Sequence, residues 1–464
     1  MVTQLQKKYS FLTQDTFIVS LLVLLAIITR GFGFWEWPLS GDEFYTIEDS
    51  LKGNFGTKPG YYVISSLIFS VFGVHEWTAR ITAVIFSIVT VPVLYLMTRR
   101  FLNRDVAIYA VLLMLVSEWH LYYSQFARFY SAVFFFGVLS YFLYYFSVQS
   151  GKLRLLLYAL ISNLLAILFH STAVIVPASC VVFSLILLFS RRKTLSVASL
   201  KVVKTHVYIA IIFLFVMLPI AFKLLSSWQS FGQEWGYSGF MQLLQLAKYT
   251  GLVIFGASFF GLIMLLKNEH DKGMFMIVSV ICAIVFLVVF STFTNMRPDY
   301  VFFALPLFFV AAGYFCSKIK ECLAGNVILS HSIILILIAS LIPSFVSYYT
   351  SRLTLDIRDV ISYIEMHYRD GDKILPLTTG FDTYSKLKTE QLPRNAFMRQ
   401  NNWQELLKDY KDSQERLWII TPISRSPLSE SLSNWLAENT NLIWQKQSKR
   451  MDYTLEGYQI YLKR

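Results

Sequence analysis

The sequence predicts a polytopic α-helical membrane protein of about eleven transmembrane helices, with a small α/β domain at its C-terminal end outside the membrane. Three observations predict it. Of 464 residues, 55% are hydrophobic and only 15% charged, more apolar surface than the core of a soluble domain can enclose. Apolar segments long enough to span recur through residues 1–350 and stop there. The cations between those segments alternate in density, as they do when basic loops stay on the inner side.

The elements follow in order. Lys7 and Lys8 precede an apolar run, 17–28, with no small-x-small cleavage pattern after it, which reads as an uncleaved signal anchor. Spanning segments are expected at 16–34, 78–98, 105–121, 129–148, 154–170, 172–190, 206–225, 250–266, 274–293, 299–317 and 327–348. The stretch PGYYVISSLIFSVFG, 59–73, is short for a span, and orientation decides its place. If it does not cross, about 16 Lys and Arg of the first 350 residues face inward against about 8 outward. If it crosses, every later loop inverts. It is therefore expected to lie in the outer interface, with the pair Tyr61 and Tyr62 at the headgroup level. Residues 1–350 form the membrane domain, 35–77 being its first outer loop with the juxtamembrane helix.

Residues 351–464 form the extracytoplasmic α/β domain. DIRDVISYIEMHYRDGD reads as an amphipathic helix ended by an Asp-Gly turn, KILPL and RLWIITP as strands, LSESLSNWLAENT as a helix and DYTLEGYQIYLKR as a closing strand. The cysteines Cys180, Cys282, Cys316 and Cys322 lack metal-ligand spacing and indicate neither a disulfide framework nor a zinc site. The net charge of +12 is a topology signal beside anionic lipids, not a nucleic-acid footprint.

This topology gathers the chemistry on one side. The outer loops hold GDEFYTIEDS, TKPGYY, HEWTAR, SEWHLYYSQFARFY, FHST, WQSFGQEWGY and NMRPDY, while the inner loops carry little but basic residues. Asp42 and Glu43 could be a solvated loop pair. Placed where a loop folds back over a bundle, such carboxylates are costly unless paired or used, and partial desolvation suits one of them to act as a general base. Lys58, Arg128 and Arg297 could be snorkelling anchors. Arg128 fits that reading badly, because Tyr123 and Tyr130 flank it in YYSQFARFY, and a guanidinium so held can grip a phosphate bidentately. His170, at the outer end of a helix, is an interface residue or a neutral phosphate partner.

The order GDEFY, KPGYYVISSLIFSVFGVHEWTARITAVIFSIVTVPVLYLMTRRFLNRDVAIYAVLLMLVSEWHLYYSQFARFYS resembles the N-terminal half of C-type (GT-C) membrane glycosyltransferases. Within them it is most similar to the protein-mannosyltransferase-like group and its bacterial aminoarabinose and galacturonic acid transferase relatives. The resemblance covers about residues 15–150, with weaker echoes in LFHSTAVIVP and RPDYVFFALPLFF. It implies transfer of a sugar, with inversion, from a polyprenyl-phosphate carrier to a lipid, glycan or protein acceptor on the outer face of the cell membrane. It implies Asp42 as general base with Glu43 beside it, Lys58 opening a K/H-P-P-L-like segment, and Arg128 as the Arg of a YYSQEAR-like motif. Tyr61, Tyr123, Tyr130, His170 and Arg297 complete the expected donor site. Gly60 stands in place of a second proline, and Phe126 where many relatives have Glu. The latter removes a carboxylate and weakens the case for a metal.

The residues support that chemistry independently. An acceptor hydroxyl would give its proton to Asp42 as its oxygen attacks the anomeric carbon, while the cations stabilise the departing phosphate. A lipid-borne phosphate needs no nucleotide fold, no glycine-rich phosphate loop is present, and no cofactor is indicated. The competing reading is a transporter or flippase of lipid-linked sugars. It would be expected to show inverted repeats, broken midplane helices and charges within spans, whereas these spans are nearly free of charge and the motifs cluster at one surface.

Overall fold

The computed structural model describes residues 2–39, 41–56, 58–191, 193–231, 237–323, 326–354, 356–378, 380–389, 415–423, 428, 430–449 and 455–463. Ser40, Arg192 and most of the outer motif at 228–237 lie outside the residues whose placement and side chains are described.

The chain is a multi-span membrane protein. Among the described residues eight helices are long and apolar enough to cross a membrane: Gln14–Gly31, Glu76–Phe101, Tyr130–Ser150, Ser171–Ser190, Val197–Phe215, His270–Phe290, Pro298–Cys322 and His331–Thr350. Two bent pairs add to them, Arg104–Val116 with Glu118–Ser124 (66°) and Met241–Thr250 with Leu252–Asn268 (101°). The expected segment 154–170 is a helix of 17 residues, Leu153–Phe169, just under spanning length. The eleven apolar segments are thus all helical, and the difference from eleven uniform spans comes from breaks and one short helix. Each break has a local cause. Ser117 ends one helix in extended backbone and its side chain caps the next at the His120 amide. Gly251 takes φ +91° between the helices of the second pair, a conformation that side-chain-bearing residues avoid.

By contact the chain divides into two compact units, one of Met1–Phe34 with Asp49–Phe345 and one of Trp35–Glu48 with Val346–Arg464. In the first, small residues let helices approach closely, as they must where lipid supplies no hydrophobic drive between helices. A Cβ on Gly261 would meet the Ala311 carbonyl oxygen at 1.9 Å, and one on Gly313 the Val106 carbonyl oxygen at 2.9 Å. Ser258 seals the first contact by donating to the Phe308 carbonyl at 2.8 Å. Several buried polar groups pair across spans. Asp15 accepts from the Tyr95 hydroxyl at 2.9 Å and pairs with Arg99 and Arg104. Ser184 links Tyr144 (2.5 Å) to His206 (3.0 Å).

In the second unit, Asp356 caps the helix Ile357–His367 by accepting from the Arg358 amide at 2.8 Å. The strands β1 (Lys373–Pro376), β2 (Leu417–Ile423), β3 (Asn441–Lys449) and β4 (Leu455–Lys463) form one sheet in the order β1-β2-β4-β3. β1 and β2 are parallel, and the other pairs antiparallel. The alternation of β2 sends its side chains to two cores. Trp418 and Ile420 pack with Ile357, Val360, Ile361 and Ile364, whereas Leu417 and Ile419 pack with Leu432 and Leu436 of the helix Glu430–Asn439. β3 is the strand that the sequence pattern did not predict. It lies at a sheet edge and its NLIWQKQSK sequence is mostly polar.

Candidate active site

The acids open a helix. Asp42 and Glu43 occupy the first turn of Asp42–Leu51, where the expectation from sequence was a loop. Carboxylates at that end are favoured by the helix dipole, and Gly41 supplies the turn before it at φ +36°. Glu43 is fully buried, whereas Asp42 is half-buried and so remains reachable. Glu48 and Asp49 are half-buried. Asp42, Glu43 and Glu48 belong to the unit of Trp35–Glu48 and Val346–Arg464, and Asp49 to the other.

The cations belong to the other unit, and the fold brings two of them, Lys58 and Arg128, together with His170. Lys58 stands at the N-cap of the helix Pro59–Phe72, with Pro59 starting the helix at a position that needs no amide donor. That helix lies close against the end of Leu153–Phe169, because a Cβ on Gly60 would already touch the Phe169 ring at 3.1 Å and the Leu168 carbonyl at 3.2 Å. The next residue after Phe169 is His170. Its ring stacks on Phe129 at 4.3 Å and 16°, and on Tyr300 at 5.9 Å and 11°. Lys58 Nζ lies 4.8 Å from the Phe129 centroid, and the Arg128 guanidinium carbon 5.6 Å from it. Both are within cation–π range. Lys58, Arg128 and His170 thus share one ring as a platform.

The imidazole is tuned by this setting. Burial, and then the charges of Lys58 and Arg128, push His170 well below the ordinary value of 6.5. It is neutral at pH 7, and its Nδ1 sits 2.7 Å from the Thr172 hydroxyl.

Tyr123 and Tyr130 are buried, with ring centroids 3.9 Å apart. Tyr130 is within electrostatic reach of the Asp299–Arg297 pair and of Arg128. Arg297 itself is committed. Its Nη2 pairs with Asp299 Oδ2 at 2.5 Å, and the other oxygen of Asp299 accepts from Trp119 Nε1 at 3.1 Å. Tyr61 and Tyr62 are both buried within the protein. The Tyr61 hydroxyl donates to the Ala79 carbonyl at 3.1 Å and so braces its helix.

Phe129, Tyr300, Asp299 and Trp119 were not singled out from sequence. Asp299 had a signal in its spacing from Arg297 in RPDY. Phe129 had none, because one Phe among 40 carries no chemical mark until its neighbours are known. Among the described residues no group of three or more His, Cys, Asp or Glu could hold a metal ion.

Residues 57–222 match the sequence profile of the family described as dolichyl-phosphate-mannose-protein mannosyltransferase. The match contains Lys58, Arg128 and His170 and begins after Asp42. ArnT from Cupriavidus metallidurans, crystallised with undecaprenyl phosphate, superposes with a TM-score of 0.56 at 13% identity, over 97% of this chain and 98% of that one. The fold is that of the GT-C membrane glycosyltransferases. Apo ArnT gives the same GT-C match at a TM-score of 0.58, with 13% identity and 96% and 98% of the two chains covered. The oligosaccharyltransferase AglB from Archaeoglobus fulgidus, solved with an inhibitory peptide and a dolichol-phosphate, shares the fold at 0.53 and 13% identity, over 78% of this chain and 59% of that one. No curated sequence gives a significant match.

Proposed function

We propose that this protein transfers a sugar, with inversion, from a polyprenyl-phosphate donor to a hydroxyl of a lipid, glycan or protein acceptor, on the extracytoplasmic side of the cell membrane. The observation that carries the reading is the convergence of Lys58, Arg128 and neutral His170 on Phe129. Two cations and a neutral imidazole on an aromatic platform suit a phosphate monoester whose charge grows as the glycosidic bond breaks. The GT-C fold, shared with a protein crystallised with undecaprenyl phosphate, supports the same class of donor.

In this mechanism Asp42 accepts the acceptor's hydroxyl proton as the oxygen attacks the anomeric carbon from the face opposite the phosphate. The C–O bond to the phosphate breaks, the electron pair stays on the phosphate oxygen, and Arg128 and Lys58 neutralise it. Glu43, fully buried, supports Asp42 from the same helix turn. Arg297, paired with Asp299, takes the lesser share of the phosphate charge. The inner basic loops and the positive-inside pattern support the outward orientation.

The experiment is a reconstituted assay of purified protein with a panel of radiolabelled undecaprenyl-phosphate sugars. Label appearing in an acceptor, with release of undecaprenyl phosphate, supports the reading. Movement of labelled lipid across vesicle membranes without cleavage would favour a flippase instead.

A further inference from the structure

The second unit contains a clamp built around the helix that carries Asp42, and nothing in the reaction as described uses it. Residues of the C-terminal portion hold the segment on both sides of that acid. The Leu39 amide donates to the Tyr384 hydroxyl at 2.8 Å. The Tyr384 ring meets the Phe44 ring edge-on at 6.4 Å. Gly380 presses on the same ring: it takes φ +93°, and a Cβ there would lie 2.4 Å from Phe44. Further upstream, Arg358 donates to the Glu36 carbonyl at 2.9 Å and lies 5.9 Å from the Tyr384 centroid, while Asp356 fixes its guanidinium through bonds of 2.6 to 3.0 Å. Trp37 rests on Tyr348 and Tyr349 at 5.7 and 5.8 Å.

The pattern of contacts is selective. Leu39 precedes Asp42 by three residues and Phe44 follows it by two, so one tyrosine grips the chain on either side of the acid. Leu39 and Trp37 are buried. The helix Asp42–Leu51 has only 10 residues, too few to hold a fixed direction by itself. A general base must be placed within a fraction of an ångström of its proton.

We propose that the C-terminal unit positions the catalytic acid, with Tyr384 as the key positioning residue and Gly380 and Arg358 as its supports. The inference rests on the reading of Asp42 as general base. Tyr384 touches neither donor nor acceptor in this account, and acts only through the Asp42 helix.

The test is a double-mutant cycle in the reconstituted assay, using the undecaprenyl-phosphate sugar that the wild-type protein turns over. Tyr384→Phe keeps the ring against Phe44 and removes the acceptor for the Leu39 amide. It should lower kcat about 3- to 10-fold, leave the KM for the donor unchanged, and have no further effect in an Asp42→Asn background. A purely structural role would instead give equal losses in both backgrounds, and that result would overturn the proposal. Hydrogen exchange supplies a readout independent of turnover. Tyr384→Phe should speed exchange across residues 36–46 while β1, β2 and the helix Ile357–His367 keep their protection; unchanged exchange at 36–46 would also overturn it. Absence of turnover by the wild-type protein with every donor would overturn both the reading and the inference, whereas wild-type turnover with an additive cycle would overturn the clamp alone.

Discussion

Gln125 caps the helix that carries Arg30, and Arg30 caps the helix Arg104–Val116, one bend before Gln125. Arg30, in the last turn of the first span, donates to the Leu115 carbonyl at 2.7 Å and the Met114 carbonyl at 3.0 Å, where the helix Arg104–Val116 ends. Gln125 Nε2 returns the favour at the end of the first helix, reaching the carbonyls of Arg30 and Phe32 at 2.8 Å each. Both side chains are fully buried. The last carbonyls of a helix have no partner within it, and in a bundle without water they must be met by side chains. This exchange closes the bend that leads, through the turn after Gln125, to Arg128.

The clasp predicts a defect in stability with a chemical signature. Gln125→Leu should cost about 2–3 kcal/mol, since buried carbonyls lose their donors, and lower the thermal midpoint in detergent. Gln125→Glu should be at least as damaging, because an ionised carboxylate accepts but cannot donate. A Gln125→Glu protein as stable as wild type would refute the capping role.

For the phosphate, Arg128 carries the sharper expectation. Losing a charge-assisted bond to a developing phosphate costs roughly 2–4 kcal/mol in the transition state, or about 30- to 1000-fold in rate. Arg128→Lys should fail with Arg128→Gln, because an ammonium cannot reproduce the guanidinium fork. Full activity in Arg128→Lys, measured in the reconstituted assay, would reduce Arg128 to an anchor at the membrane interface.

His170 predicts a pH dependence of stability. Its value in the folded protein is held below 6.5 by burial and then by Lys58 and Arg128. Above pH 6.5 neither state carries the proton and the residue contributes no slope. Below it the unfolded chain binds a proton that the folded one refuses, so stability falls as the pH drops, by up to about 1.4 kcal/mol per unit. His170→Gln should flatten that slope in thermal melts between pH 7 and pH 5. Equal slopes in the two proteins would contradict the buried neutral imidazole.

Gly60 predicts that helix placement sets the site. Gly60→Val must displace the Phe169 ring or the whole helix Pro59–Phe72, since even a Cβ meets contacts at 3.1 and 3.2 Å. Lys58 moves with that helix. The affinity for undecaprenyl phosphate should fall about 10-fold or more, as misplacement by about 1 Å does in other sites. Binding at the wild-type level would show that the close approach is incidental.

Much of this architecture was legible in the sequence because the membrane enforces simple rules. Every apolar run became a helix, since the backbone has no alternative in lipid. The helix Pro59–Phe72 was legible as an apolar run shorter than the other spans. The breaks at Ser117 and Gly251 were not, because an apolar run looks continuous across a single capping residue or glycine. β3 was hidden by its edge position, which frees its side chains from alternation. In the site, charged residues announced themselves, but their partners did not. Tyr61 illustrates the limit: its motif suggested a substrate contact, while its hydroxyl is spent on the Ala79 carbonyl. The pairing of Trp35–Glu48 with the C-terminal unit depends on contacts between distant segments, such as Leu39 with Tyr384, that no local pattern encodes.

Asp42 is proposed to take the acceptor's proton, and single-turnover sugar transfer by Asp42→Asn against wild type, alongside binding of undecaprenyl phosphate to both, is the decisive comparison. Asparagine keeps the size and most of the hydrogen-bonding capacity of the residue but cannot accept the proton. Lipid binding should be unchanged and transfer slowed about 100-fold or more, with little change for Glu48→Gln. Transfer by Asp42→Asn at a near wild-type rate would contradict that role and turn attention to Glu43.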